Sequence, residues 1–245
     1  NNVKENYLGS EIYSNEKIKE EKSKVQNLIK EYENSYSYDK IASFDNNIFH
    51  LTGKTKERGE LLNSSKRPLF NRAVSGTYTP GSTIKPLVGV ATLVENIVSP
   101  TFSVFSPGYL DVPNPYNPDK PSRFLDWRPQ GYVNLYSAIA QSSNVYFYTV
   151  GGGAFGIDGL GISKLKNWWS KFGFGSLTNI NLPSEAKGFL PDPEWKEENN
   201  RGSWLLGDTY NVSIGQGDFM VTPIQLINYI SSIANGGKLY QPTIL

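Results

Sequence analysis

The chain has 245 residues, a formal net charge of +1 from 24 Lys and Arg against 23 Asp and Glu, no Cys and one His. Without Cys there are no disulfide scaffolds, thiolate metal sites or thiol nucleophiles, and one His makes no His metal cluster, so covalent chemistry falls to Ser, Thr, Lys or a carboxylate. Balanced charge excludes the basic field that nucleic acid binding requires, while 38% hydrophobic and 13% aromatic residues suffice for a folded core.

The length suits one large domain or two small ones. No apolar stretch approaches the roughly 20 residues of a membrane span, and Asn1 to Gly9 is polar, so neither an anchor nor a signal segment is expected within the chain. Residues 1–40 read as an N-terminal segment carrying a charged helix, with Ile18, Val25, Leu28, Ile29 and Tyr32 forming a stripe along Asn15 to Tyr32. A second division, 41–245, holds the remaining features. Ile41-Ala-Ser-Phe and Ile48-Phe-His-Leu read as short strands, and His50 between apolar neighbours reads as a packed structural histidine.

From Lys85 to Asn96 the chain is apolar on nearly every face, which predicts a buried helix. Pro80-Gly81 turns Ser82 into the start of that helix, and Pro86 in its first turn places the start at Ser82 or Thr83. The Pro- and aromatic-rich run Pro100 to Pro129 predicts an ordered loop with little regular structure. Leu135 to Ala140 reads as a helix leading to Ser142-Ser-Asn, then Val145-Tyr-Phe-Tyr and a Gly151-Gly-Gly break. Leu160, Leu165, Trp168, Trp169 and Phe172 recur at helical spacing until Gly173 and Gly175. Thr222-Pro-Ile-Gln has the form of a capping box with Pro at the first helical position, and Gly236-Gly supplies the stop. Helices alternating with weak strands predict a mixed α/β body.

Two clusters carry candidate chemistry. Ser82 and Lys85 are three residues apart at a helix start and share a face. A lysine held in an apolar site has its charged form disfavoured, so it can take the proton of Ser82 and make the hydroxyl a nucleophile. The Ser82 backbone N–H and the positive helix end suit an oxyanion at the attacked carbonyl. Ser142 offers a hydroxyl for proton relay, and Asn144 an amide to bind a peptide group and orient Lys85. Gln216 and Asp208 either buttress this site or close a glycine-rich turn.

Gly76-Thr-Tyr-Thr-Pro-Gly-Ser-Thr-Ile-Lys-Pro followed by Ser142-Ser-Asn-Val-Tyr-Phe-Tyr resembles the penicillin-binding protein transpeptidase family. Arg67-Pro-Leu-Phe-Asn-Arg-Ala, Gly173-Phe-Gly, Asn181-Leu-Pro-Ser-Glu, Pro193-Glu-Trp-Lys, Gly207-Asp-Thr-Tyr-Asn-Val-Ser-Ile-Gly-Gln-Gly and Thr222-Pro-Ile-Gln-Leu narrow the resemblance to its class B, elongation-type branch, penicillin-binding protein 2. It covers about Ile41 to Leu245.

The resemblance implies an α/β (α+β) fold of the β-lactamase/DD-peptidase type, an antiparallel sheet flanked by helices, here truncated. It implies a serine DD-transpeptidase of peptidoglycan, acylated at Ser82 with Lys85 as base and Ser142 and Asn144 assisting, using no cofactor and no metal. Its implied partners are stem peptides ending in D-Ala-D-Ala, β-lactams, and a membrane glycosyltransferase with other elongation-machinery proteins, but no nucleic acid. The implied place is the outer, periplasmic face of the cytoplasmic membrane, with the anchor outside this chain. The family's third motif, Lys-Thr-Gly or a relative, is expected beyond Leu245, because Ala234-Asn-Gly-Gly-Lys-Leu-Tyr-Gln-Pro normally precedes it. A non-catalytic scaffold or sensor and a β-lactamase are the alternative readings.

Overall fold

The structure, a computed structural model, describes residues 70–244 apart from 115, 116 and 118. The charged helix within 15–32, the short strands at Ile41 and Ile48, His50 and the start of the Arg67 motif lie outside the described residues, which belong to the unit Phe70–Leu245.

Helix α1 (Lys85–Val94) begins where Pro86 changes the hydrogen bonding. In a continuous α-helix the N–H of residue 86 would bond the Ser82 carbonyl, and proline has no N–H. The Lys85 N–H bonds that carbonyl instead, so Gly81–Ile84 winds as a tighter 3-10 turn and the α-helix proper starts at Lys85 rather than at Ser82 or Thr83. As the apolar run predicts, Lys85, Leu87, Val88, Ala91 and Thr92 are all buried.

The Pro100 to Pro129 run corrects the expectation of an irregular loop. It contains β1 (Ser103–Ser106), β2 (Tyr109–Val112) and β3 (Ser122–Leu125), and β4 (Gly131–Asn134) follows directly. β1 pairs antiparallel with β4, Ser103 opposite Asn134 and Ser106 opposite Gly131. β2 and β3 form a second antiparallel ladder, Tyr109 opposite Leu125 and Val112 opposite Ser122. Each strand is four residues long, so only two side chains per face carry the period-two signal. The second hairpin is nested between the strands of the first, which brings the end of β3 back towards Gly108, whose carbonyl accepts from Asp126 N at 2.8 Å.

Helix α2 (Leu135–Ala140) starts on a capping box between Asn134 and Ser137. Ser143 caps α3 (Asn144–Gly152), which is buried from Val145 to Gly151 and is packed on by α1, α2, α4 (Gly161–Lys171) and α6 (Leu206–Ser213). A helix apolar on all sides belongs at the centre, and this one is there. Its glycines continue the helix rather than break it. A Cβ on Gly151 would lie 2.4 Å from Ser213 Cβ, so the missing side chain is what lets α6 approach. The chain turns at Gly153, φ 93°.

In α4, Leu165, Trp168 and Trp169 face the core as predicted, and the Trp169 ring stacks on Phe219 with centroids 4.4 Å apart. After α5 (Pro193–Glu198), α7 (Pro223–Ala234) opens on the predicted capping box: Gln225 N donates to Thr222 Oγ1 and Thr222 N to Gln225 Oε1. Gln225 is 1% exposed, and its amide also donates to the carbonyls of Ser176 (2.8 Å) and Lys187 (2.9 Å). Among the described residues, no helix is long and apolar enough to cross a membrane.

Gln225 thus joins three segments through one buried amide. Replacing it with Leu removes the partner of the Ser176 and Lys187 carbonyls and leaves the buried Thr222 N–H unpaired, and the expected loss is about 2 kcal/mol of unfolding free energy in denaturant titration. A loss below about 1 kcal/mol would assign the amide a minor role.

Candidate active site

The Ser82 turn is fixed from several sides. Tyr78 pairs with Val221 through two backbone hydrogen bonds of 2.8 and 2.9 Å, and Gly81 N donates to Gly215 O at 2.8 Å. Thr83 Oγ1 donates to Pro80 O at 2.7 Å, and the buried Tyr229 hydroxyl donates to Thr83 O at 2.7 Å. Ser82 itself is exposed, at the mouth of this braced turn, and among the described residues no hydrogen bond engages its hydroxyl. An exposed, unengaged hydroxyl on a rigid turn is free to meet a substrate.

Lys85, one 3-10 turn further on, is 1% exposed. Its Nζ donates to Ser142 O (2.8 Å), Ser142 Oγ (3.1 Å) and Asn144 Oδ1 (2.7 Å), and lies 5.6 Å from the Phe147 ring centroid. The structure therefore joins Lys85, Ser142 and Asn144 directly, whereas the Ser82 hydroxyl makes no hydrogen bond to Lys85. Three acceptors engage the three N–H bonds of an ammonium. Burial lowers the Lys85 pKa to about 8, against an opposing pull from the Asp126 carboxylate. With its pKa drawn down towards neutrality, the amine has both its ammonium and its free base accessible near neutral pH.

Ser142 can present both its carbonyl and its hydroxyl to one ammonium because its backbone is left-handed, φ 55°. That conformation is uncommon for a residue other than glycine, and it is held by bonds on both sides: Ser142 N to Ile139 O at 3.2 Å and Ser143 N to Ala138 O at 2.9 Å. Asn144 is satisfied at both ends, its Nδ2 donating to Leu125 O at 3.3 Å while Oδ1 accepts from Lys85.

Two further residues stand at the site that spacing alone does not single out. Asp126 accepts from Ser143 Oγ and Val145 N at the start of α3, and Leu125 contributes the carbonyl that holds Asn144. Asp208 has a structural role: its carboxylate accepts from Leu205 N (2.7 Å) and Lys196 Nζ (2.6 Å) at the start of α6, and Gln216 is exposed on the loop that follows. Among the described residues, no group of three or more His, Asp or Glu side chains could hold a metal ion.

A family model described as the penicillin binding protein transpeptidase domain matches residues 14–245. The chain belongs to this family. Curated penicillin-binding protein relatives include the peptidoglycan D,D-transpeptidase MrdA of Haemophilus influenzae, 38% identical over 205 residues, covering 83% of this chain and 30% of the relative. MrdA of Escherichia coli K12 is 35% identical over 205 residues, 83% of this chain and 31% of the relative. The chain spans about a third of the length of these relatives. Among solved structures, Pseudomonas aeruginosa PBP2 in complex with WCK 5153 superposes with a TM-score of 0.68 at 39% identity, over 78% of this chain and 41% of that one. Helicobacter pylori PBP2 in complex with MreC gives 0.68 at 33% identity, over 78% and 33%. The penicillin-binding transpeptidase fold expected from the motifs is thus the fold of this chain.

Within that fold, the contact between Gly81 and Gly215 leaves no room for a side chain. A Cβ on Gly215, φ 75°, would meet Gly81 O at 2.2 Å and Gly81 N at 2.7 Å. Gly215→Ala must therefore push the Ser82 turn off its support. The expected result is a lower thermal midpoint and faster hydrogen exchange at the Gly81 amide; an unchanged exchange rate would show that the turn is held by its other contacts alone.

Proposed function

We propose that the chain is the acyl-transfer core of a peptidoglycan D,D-transpeptidase, with Ser82 as nucleophile and Lys85 as its base. The observation that carries this reading is the buried Lys85 amine, bonded to Ser142 and Asn144 and one turn from an exposed serine. Its relatives are named for the same activity, and the family match supports it.

In the proposed reaction the neutral form of Lys85 accepts the Ser82 proton as Oγ attacks the carbonyl carbon of the penultimate D-alanine. The oxyanion forms at the start of the helix, where the Ser82 N–H and the α1 dipole favour negative charge. The C–N bond then breaks. The terminal D-alanine leaves as an amine after taking a proton from the Ser142 hydroxyl, which is reprotonated by the Lys85 ammonium. An acceptor amine from a second stem peptide attacks the Ser82 ester, loses its proton along the same route reversed, and forms the cross-link while Ser82 regains its hydrogen. A β-lactam ring opens on Ser82 by the same first step, with the ring nitrogen as the leaving group that stays attached.

The reading extends to cell elongation and shape, and to work on the outer face of the cytoplasmic membrane beside a glycosyltransferase. One relative, from Helicobacter pylori, is seen with MreC, which supports elongation-machinery partners for this protein too.

A fluorescent penicillin should label the full-length protein covalently at Ser82, and Ser82→Ala should abolish the label; labelling that persists in the variant defeats the assignment. Below the Lys85 pKa of about 8 the amine is increasingly protonated, so the acylation rate should rise about tenfold per pH unit up to that point and level off above it. A rate flat from pH 6 to 9 would remove Lys85 from the role of base.

A further inference from the structure

The segment Leu125 to Arg128 holds the turn that presents Ser142 and Asn144. Asn144 Nδ2 (3.3 Å) and the Tyr148 hydroxyl (3.2 Å) both donate to Leu125 O, and Trp127 Nε1 donates to Gln141 O at 3.1 Å. At the centre is Asp126. Its Oδ2 accepts from three donors, Ser143 Oγ (3.0 Å), Val145 N (3.1 Å) and Ser106 Oγ (3.3 Å), while Oδ1 accepts from Trp127 N (2.9 Å). Ser106 and Ser143 are both fully buried, so their hydroxyls have no water to turn to. The carboxylate also sits at the N-terminal end of α3, where a negative charge is favoured. It therefore ties together β1, the end of β3, the middle residue of Ser142-Ser-Asn and the residue that follows that motif.

We propose that Asp126 is a positioning residue for acyl transfer, holding the Ser142 to Asn144 turn in the register that engages Lys85. The inference rests on the acyl-transfer reading above and adds to it a residue outside the serine and lysine motifs. It acts through the turn and does not touch substrate. Among the described residues, two titratable groups face it: Lys85 from α1, whose ammonium its charge favours, and Tyr148 from α3, whose phenol burial and the same charge push up to about 12. On its own segment, Arg128 is engaged by Gln141 Oε1 at 3.4 Å, and on the adjoining hairpin Arg123 is paired with Asp111 at 2.6 Å. Tyr148 stays neutral from pH 6 to 10, so across that range the group that responds to the loss of the Asp126 charge is Lys85.

The test is the pH profile of acylation by a fluorescent penicillin, measured on the full-length protein. For Asp126→Asn the plateau rate at high pH should fall about tenfold or more, because a displaced Ser142 and Asn144 no longer align the amine. The midpoint should also move below that of the unsubstituted protein, because a negative charge that favoured the ammonium is gone. A residue that only supports the fold would lower thermal stability and leave the plateau rate in place. Either the plateau or the midpoint staying at the unsubstituted value overturns the proposal. Ser143→Ala keeps the carboxylate and removes one of its donors; its plateau should fall with the midpoint unmoved, and a plateau within about twofold overturns the proposal even where Asp126→Asn does not fold. No label on the unsubstituted protein overturns the acyl-transfer reading and this inference with it, whereas a labelled protein with unaffected variants overturns the inference alone.

Discussion

A lysine ammonium removed from water and held by three oxygens is the interaction on which the other features of the site depend. Burying a cation is costly unless hydrogen bonds replace its hydration, and Lys85 finds a backbone carbonyl, a hydroxyl and an amide oxygen within 3.1 Å. The residual cost appears as the lowered pKa, about 8 against the ordinary 10.5. Because the folded state binds this proton more weakly than the unfolded chain does, burial opposes folding fully below pH 8. The opposition is relieved as pH rises from about 8 to 10.5. A site that needs an amine able to lose its proton near neutral pH is built by accepting that instability.

The rest of the fold meets this demand by placing two segments about 57 residues apart against each other. Helix α3 runs through the centre, wrapped by other helices, so the turn at its start cannot drift without disturbing the core. Pro86 tightens the opposite side into a 3-10 turn, in which residues three apart are eclipsed rather than staggered, and this sets Ser82 above Lys85. The Gly81 and Gly215 backbones touch, so the serine turn is braced by main chain rather than by adaptable side chains. Rigidity on both sides of the amine is what a proton transfer of fixed direction requires.

The parts of this arrangement that are local in sequence are legible there. The capping box at Thr222, the apolar run behind Lys85 and the stripe ending at Phe172 each carry their signal within one element, and each forms as predicted. The strands between Ser103 and Leu125 do not, because four residues between prolines give too little alternation to separate a strand from a loop. Asp126 is hidden for a different reason. Its partners are two serines and an amide reached across a nested hairpin, and nothing in a lone Asp before a Trp points to them. The same holds for Leu125, and for the second bond that Ser142 makes to Lys85, because both come through backbone carbonyls that any residue would carry. The disfavoured ammonium expected from an apolar setting appears as the lowered pKa, while polar acceptors orient Lys85 and Asp126 offsets part of the effect of burial.

The central claim is that Lys85 is desolvated but still protonable near neutral pH. Nuclear magnetic resonance titration of side-chain-labelled lysine, with the Lys85 signal assigned by its loss in Lys85→Ala, reads that property directly. The account predicts a midpoint at about 8, whereas titration near the ordinary lysine value of 10.5 would contradict it.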